Sequence, residues 1–336
     1  MNLADIAEKA GVSPTTVSNV INGNYHKVSK NTIERIQKII DECGYKPNAT
    51  ARSLASKQSK IIGVVVPYLG EDEVFSISPY NTQILAILEN YIRKQGYYLM
   101  MRTVGGCDEI IPIFSSWNVD GLIVFGANKV ESAMLHKKIS VPTVYVDTYN
   151  SENNIVNIGI DDYKGGYLST RYLLGKGHRN IAFVGPDIQM SEVIANRYRG
   201  YCDACEEFGV KVSDNDYFEV MTYYENGVEV GRQIAFAEKK YTAVSAMSDI
   251  VALGVMAGLR LCGYHVPEDI SIIGFDNLPE CKYSNPQLTT VSQNLEEKAR
   301  LVAERLFEMI NKKKEIVCRN VVEVEIVERQ SVKQLV

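Results

Sequence analysis

The stretch Gly11–Gly23, GVSPTTVSNVING, constrains this chain more than any other. Ser13 before Pro14 marks a helix start, because a serine hydroxyl caps an orphan N–H and proline is at home in a first turn. Val17, Val20 and Ile21 then recur at helical spacing as an apolar stripe. Thr15, Ser18, Asn19 and Asn22 fall at i, i+3, i+4 and i+7 and form a polar one. Gly23 is the expected terminator. Ahead of this stretch, Leu3, Ile6, Ala7 and Ala10 make the inward face of another short helix. Two such helices across the tight turn Gly11-Val12-Ser13 predict a helix-turn-helix, whose second helix suits the DNA major groove. The competing reading is a helical hairpin whose polar stripe is merely solvated.

Further features favour the first reading. Ser29–Cys43 reads as a third helix, capped by Ser29, with Ile33, Ile36, Ile39 and Ile40 inward and Gly44 as its stop. Three helices can bury a small core of their own. Pro47-Asn48 opens a fourth short helical stretch, with Arg52, Lys57 and Lys60 nearby. Residues 1–60 carry nine Lys/Arg against five Asp/Glu, net +4, whereas the remainder carries net −9. A basic module on an acidic body points to a phosphate-backbone partner for the module alone.

At 336 residues the chain exceeds one core of ordinary size. From Ile61 onward, apolar β-rich runs alternate with amphipathic stretches. Strands are expected at Ile61–Val66, Tyr97–Met101, Gly121–Phe125, Thr143–Val146, Ile155–Ile158, Ile181–Val184, Phe218–Met221, Ala243–Ala246 and Ile270–Ile273. Helices are expected near Tyr80–Gly96, Tyr163–Gly175, Ser191–Phe208, Gly227–Ala237, Ile250–Cys262 and Leu295–Ile310. The alternation predicts an α/β body of two parallel sheets with helices on both faces, and a ligand crevice at the strands' carboxyl ends. Asp147, Asp249 and Asp276 follow strands there, and Arg197 opens a helix after another. Carboxylates and an arginine supply the paired acceptors and donors that adjacent sugar hydroxyls need. A strand-end aspartate can equally cap the next helix. Tyr68, Phe75, Tyr149 and Tyr223 are candidate stacking surfaces, with core packing as their alternative.

Other classes find little support. There is no signal-peptide pattern and no run of about eighteen apolar residues, so a soluble cytoplasmic protein with no membrane contact is expected. Seven scattered cysteines fit reduced thiols, and the lone C-x-x-C pair, Cys202 and Cys205, has no second pair at metal-site spacing. No G-x-G-x-x-G, P-loop or G-x-S-x-G occurs, and the four histidines lack metal-ligand spacing. No catalytic residue, metal or cofactor is expected, and the chain does not read as an enzyme.

Ala7-x-x-Ala10-Gly11-Val12-Ser13, Thr16-Val17-Ser18, Val20-x-Asn22-Gly23, Val28-Ser29, Thr32, Gly44-Tyr45-x-Pro47-Asn48-Ala49 and Ala51-Arg52-Ser53-Leu54 together resemble the DNA-binding head and hinge of the lac repressor family. The resemblance implies that Pro14, Thr15, Ser18 and Asn19 read base edges, with Thr16 beside them, and that Asn2, Asn22, Ser29, Thr32 and Asn48 meet phosphates. Leu54 corresponds to a leucine wedged into the minor groove, with Ala51 on the same face. Arg197-x-x-Gly200-Tyr201, Asp249-x-x-Ala252-Leu253-Gly254, Pro267-x-Asp269-Ile270-x-Ile272-Ile273-Gly274-Phe275-Asp276 and Pro286-x-Leu288-Thr289-Thr290-Val291 are similar to that family's effector core. Arg197, Asp249 and Asp276 match its effector-contacting positions.

The implied layout is a helix-turn-helix domain at 1–46, a hinge helix at 47–58 and a periplasmic-binding-protein-like core at 59–336. Within that core one subdomain takes about 61–160 and 291–318, and the other about 161–290 and 319–336. Two stretches depart from the family pattern. Residues 67–76 replace the usual turn after the first strand, and Gly105–Asp108 begins a helix shorter than usual. The implied function is a homodimeric regulator, expected to be a repressor, on a two-fold symmetric double-stranded operator. Its expected effector is a small molecule, a sugar, bound between the subdomains. Glu328–Val336 is too short for a heptad tetramerisation helix, which leaves a dimer as the expectation. The alternatives are a transporter's solute-binding protein, or a regulator of the same family answering to a phosphoprotein or a purine.

Overall fold

The computed structural model describes all residues except 1, 22, 46–57, 68–77, 106–108, 113–117, 151, 153 and 336. It divides into two compact units, Met1–Ser59 and Lys60–Val336.

Among its described residues the first unit has three α-helices, α1 (Leu3–Ala10), α2 (Pro14–Ile21) and α3 (Lys30–Cys43). Their apolar stripes meet in a core of Ile6, Ala7, Ala10, Val17, Val20 and Ile36, flanked by half-buried Leu3, Ile21, Ile33, Ile39 and Ile40. Each helix start is capped by a short side chain. Asn2 accepts from the Ala4 and Asp5 amides, Ser13 from Thr16, and Ser29 from Thr32. Gly11 and Gly44 end α1 and α3 with φ of 63° and 59°, a backbone state that side-chain-bearing residues rarely adopt.

Among its described residues the second unit holds two six-stranded sheets. Its elements are β1 (Ile61–Pro67), α4 (Pro79–Lys94), β2 (Tyr98–Val104), β3 (Gly121–Phe125), α5 (Lys129–Lys138), β4 (Thr143–Val146), β5 (Val156–Ile160), α6 (Asp162–Gly175), β6 (Ile181–Gly185), α7 (Glu192–Glu207), β7 (Tyr217–Glu219), α8 (Tyr224–Phe236), β8 (Ala243–Ala246), α9 (Asp249–Leu261), β9 (Ser271–Asp276), α10 (Glu280–Tyr283), β10 (Thr289–Ser292), α11 (Leu295–Ile310), β11 (Arg319–Val322) and β12 (Glu325–Val327). The first sheet runs β11-β5-β4-β3-β1-β2, and the second β12-β10-β9-β8-β6-β7. Every pairing is parallel except β10 with β12. Strands such as β3, GLIVF, are apolar throughout because helices cover both sheet faces.

All nine expected strands are present; Gly121–Phe125, Thr143–Val146 and Ala243–Ala246 keep their expected bounds, and the other six are displaced at one or both ends, as when Ile270–Ile273 becomes Ser271–Asp276. The short strands β10, β11 and β12 and the helix α5 were not anticipated. They alter the subdomain limits. β10 pairs with β9, and β11 with β5, so the chain crosses between lobes at 160–162, 292–295 and 322–325. The last two crossings fall a few residues past the expected limits near 290/291 and 318/319. The expected hinge at 47–58, with Asn48, Ala51 and Leu54, lies outside the described residues, as do Asn22, Tyr68 and Phe75 and most of Gly105–Asp108.

Two close helix crossings rigidify the second lobe. A Cβ at Gly166 on α6 would lie 2.0 Å from the Arg197 carbonyl oxygen, and one at Gly200 on α7 would lie 2.2 Å from that of Tyr163. Gly227 and Gly231 on α8 meet Gly254 and Gly258 on α9 in the same way. No residue with a side chain permits this backbone approach, and the first crossing fixes the turn that carries Arg197.

Candidate functional site

In the head, the structure gives the polar face of α2 to solvent. Pro14 and Thr15 are exposed, and Thr16, Ser18 and Asn19 are half-buried around the buried Val17 and Val20. Such a helix can offer amide and hydroxyl groups to base edges, with asparagine suited to adenine and a threonine methyl to thymine. The cap residues have prior engagements. Asn2 forms a reciprocal capping box with Asp5, and the Ser29 hydroxyl lies 2.8 Å from that of Thr32. Their remaining hydrogen-bonding capacity is exposed at helix N-termini, where phosphates are favoured.

In the body, a cavity of about 310 Å³ lies at the carboxyl ends of the strands, lined from both lobes. That is ample for a small ligand. Four helices, α4, α5, α7 and α9, start at its wall, capped by Ser78, Asn128, Ser191 and Ser248. Of the expected ligand residues, Asp147, Tyr149, Arg197, Tyr223 and Asp276 all line it. Asp147 follows β4 and Asp276 ends β9, with φ of 55° and 122°. These are uncommon backbone states of the kind that cluster at functional sites.

Asp249 differs from the expectation of direct contact. It is 0 % exposed behind the cavity wall, accepting from the Leu278 amide at 2.8 Å and from the Thr290 hydroxyl at 2.6 Å. It braces the turn after Asp276 from within. The reason lies in Gly274, whose missing side chain lets the Asp249 carboxylate occupy the space where a Cβ would stand.

Several participants went unnoticed in the sequence. Arg197 donates from Nε to Asp162 at 2.8 Å and from Nη1 to the Met247 carbonyl at 2.8 Å, while its guanidinium stacks 3.6 Å over the Phe275 ring. Tyr149 donates to the other Asp162 oxygen at 2.7 Å. Tyr80 donates to Asp147 at 2.5 Å, and Gln293 to Asp276 at 2.5 Å. Lys298 reaches Asp147 from behind at 2.7 Å. Asp162 opens α6 immediately after its cap Asp161, a strand-end acid like Asp147, Asp249 and Asp276. Lys298 interrupts the apolar stripe of α11, which is its only sequence signal.

Burial dominates the electrostatics here. It pushes the Asp162 carboxyl up, and the pull of Arg197 only partly offsets it. Asp276 is pushed up by burial and then by the nearby Asp249, which burial also raises. Tyr80 is raised well above its ordinary value by burial and by Asp147, so its hydroxyl stays a donor. The cavity thus presents the Asp147 carboxylate from one lobe, and the Asp276 carboxyl group with the Arg197 guanidinium from the other. Aromatic walls stand beside them.

A basic helix-turn-helix head joined to a two-lobed α/β body, with a largely apolar cavity between its lobes into which a few charged groups converge, defines a ligand-responsive DNA-binding regulator. Comparison with known proteins specifies it. Residues 2–48 match the family model "Bacterial regulatory proteins, lacI family", and residues 170–332 the model "Periplasmic binding protein-like domain". The chain is 34% identical to the HTH-type transcriptional repressor PurR of Pasteurella multocida (strain Pm70), covering 98% of both chains. In structure it is similar to the lac repressor dimer bound to operator and the anti-inducer ONPF, with a TM-score of 0.87, 25% identity and 99% of both chains covered. It is also similar to a complex of the transcriptional regulator CelR with cellobiose, with a TM-score of 0.73, 26% identity and 98% and 99% coverage. The chain belongs to the lacI family of bacterial regulatory proteins. It is a DNA-binding transcriptional regulator, and its relatives are repressors, not enzymes. Among the described residues no helix is long and apolar enough to cross a membrane.

Proposed function

We propose that this protein is a cytoplasmic, homodimeric repressor that binds a two-fold symmetric operator through α2 and is controlled by a sugar held between its two lobes. The observation that carries the reading is the single cavity wall shared by Asp147 of one lobe with Arg197 and Asp276 of the other. A ligand that bonds both sides favours one relative orientation of the lobes. DNA affinity then changes by as much as the ligand's affinity differs between orientations. The CelR–cellobiose complex and the ribose operon repressor of Haemophilus influenzae among the relatives support a sugar as the ligand class. A solute-binding role in transport loses support from the family match at residues 2–48.

Selection of bound sequences from random duplex DNA, followed by titration with and without sugars, tests the reading. A two-fold symmetric consensus whose affinity shifts with a bound sugar is expected. In a thermal-shift screen, a sugar at about a hundred times its Kd stabilises the native state by about 2.7 kcal/mol. Absence of sequence preference, or DNA affinity indifferent to every sugar that binds, overturns it.

A further inference from the structure

Lys298 is the one cation on the apolar face of α11. It is 0 % exposed among buried Leu295, Ala299 and Val302. A buried ammonium is costly unless its hydrogens are matched. All three are: Nζ donates to Asp147 Oδ1 at 2.7 Å, to Gln293 Oε1 at 2.7 Å and to Tyr80 Oη at 3.0 Å. Each of those acceptors lines the cavity, whereas Lys298 lies behind them. The consequence for Gln293 is specific. With Oε1 turned to Lys298, its Nε2 is the atom left to donate to Asp276 Oδ1, at 2.5 Å. Asp147 is held at both oxygens, by Lys298 and by Tyr80. One enclosed cation thus fixes the hydrogen-bonding sense of groups reaching Asp147 in one lobe and Asp276 in the other.

Charge adds a second constraint. Arg197 is already matched by Asp162, and Lys298 by Asp147, with Asp276 as a third carboxyl group. An entering phosphate would meet carboxyl groups whose cations are already paired.

We propose that Lys298 is the positioning residue that sets the effector's class: by fixing Asp147 and the Gln293 amide, it makes the cavity select an uncharged ligand with adjacent hydroxyls, by their stereochemistry, over the phosphate ester of the same sugar. This rests on the sugar reading above.

The test is calorimetric titration of the full-length protein with D-ribose, D-xylose, D-arabinose, D-glucose, D-galactose, D-mannose and cellobiose, alongside ribose 5-phosphate and glucose 6-phosphate. Wild-type protein is expected to bind a neutral sugar, to discriminate it from its epimers by about tenfold or more, and to refuse the esters. In Lys298→Met the Gln293 amide is released, and the epimer ratio falls to within about threefold. A merely structural lysine would weaken all sugars together and leave the ratio standing. If Lys298→Met does not fold, Lys298→Leu, which likewise removes every donor toward Asp147 and Gln293, is read in the same way. An unchanged ratio, or an ester bound more tightly than its parent sugar, overturns this inference alone. Failure of every compound to bind overturns the sugar reading and this inference with it.

Discussion

Arg197 and Asp162 form an ion pair 2.8 Å long, with side chains only 9 % and 2 % exposed. Removing one partner strands the other charge in the interior. Arg197→Leu is therefore expected to cost about 3–5 kcal/mol, and the double variant Arg197→Leu/Asp162→Leu much less. Urea unfolding of both variants measures the difference. Asp162→Leu completes the cycle: a double-variant loss equal to the sum of the two single losses would mean that the pair is not energetically coupled.

The head offers a test confined to DNA. Asn19→Ala removes a side chain suited to adenine from the polar face of α2 without touching the core of Val17 and Val20. Operator affinity is expected to fall by about 1–3 kcal/mol, with relaxed preference at one base position and an unchanged salt slope. Fluorescence anisotropy across a salt series distinguishes this from loss of a phosphate contact, which would flatten the slope.

Two glycines on α6 predict opposite outcomes. Gly166→Ala drives a methyl into the Arg197 backbone and is expected to destabilise by at least about 1–3 kcal/mol. Gly175→Ala meets nothing within 4 Å and is expected to be neutral or slightly stabilising, as alanine favours helices. Thermal unfolding reads both signs directly.

His178 makes stability pH-dependent. It is enclosed between the Thr242 hydroxyl and the Lys333 carbonyl, and burial pushes its imidazole down from the ordinary value. The folded state then binds fewer protons than the unfolded chain, so this contribution is complete above about pH 6.5 and is lost as pH falls toward the lowered value. The slope of Tm against pH between about 5 and 7 is expected to be shallower in His178→Gln. An identical slope would move the effect elsewhere.

Periodicity and punctuation made much of the fold legible in the sequence. Ser13-Pro14 and Gly23 bracket a helix by local rules, and apolar runs such as Ile181–Val184 have little choice but a covered parallel strand. Elements that only tertiary pairing creates stayed hidden. β11, RNVV, carries no alternation strong enough to announce itself, and it is a strand because β5 offers it an edge. Asp249 and Asp276 look alike as strand-end acids, yet one became scaffold and the other wall. The difference is Thr290 and the Leu278 amide, which lie 41 and 29 residues away from Asp249. Lys298 was hidden for the opposite reason: a lysine in an apolar stripe reads as a blemish until three acceptors from distant segments close around it.

The interleaved strand order has a consequence for synthesis. Sheet one lacks β11 and its covering helix α11, and sheet two lacks β10 and β12, until residues 289–327 have been made. The helical head closes its core within the first 43 residues and is free to fold as it emerges from the ribosome. Both lobes must wait, each with an unfilled sheet edge and an uncovered apolar face, and such nascent edges are where chains aggregate or recruit chaperones. Order of birth therefore separates the two activities: the part that holds DNA is finished long before the part that answers to a ligand.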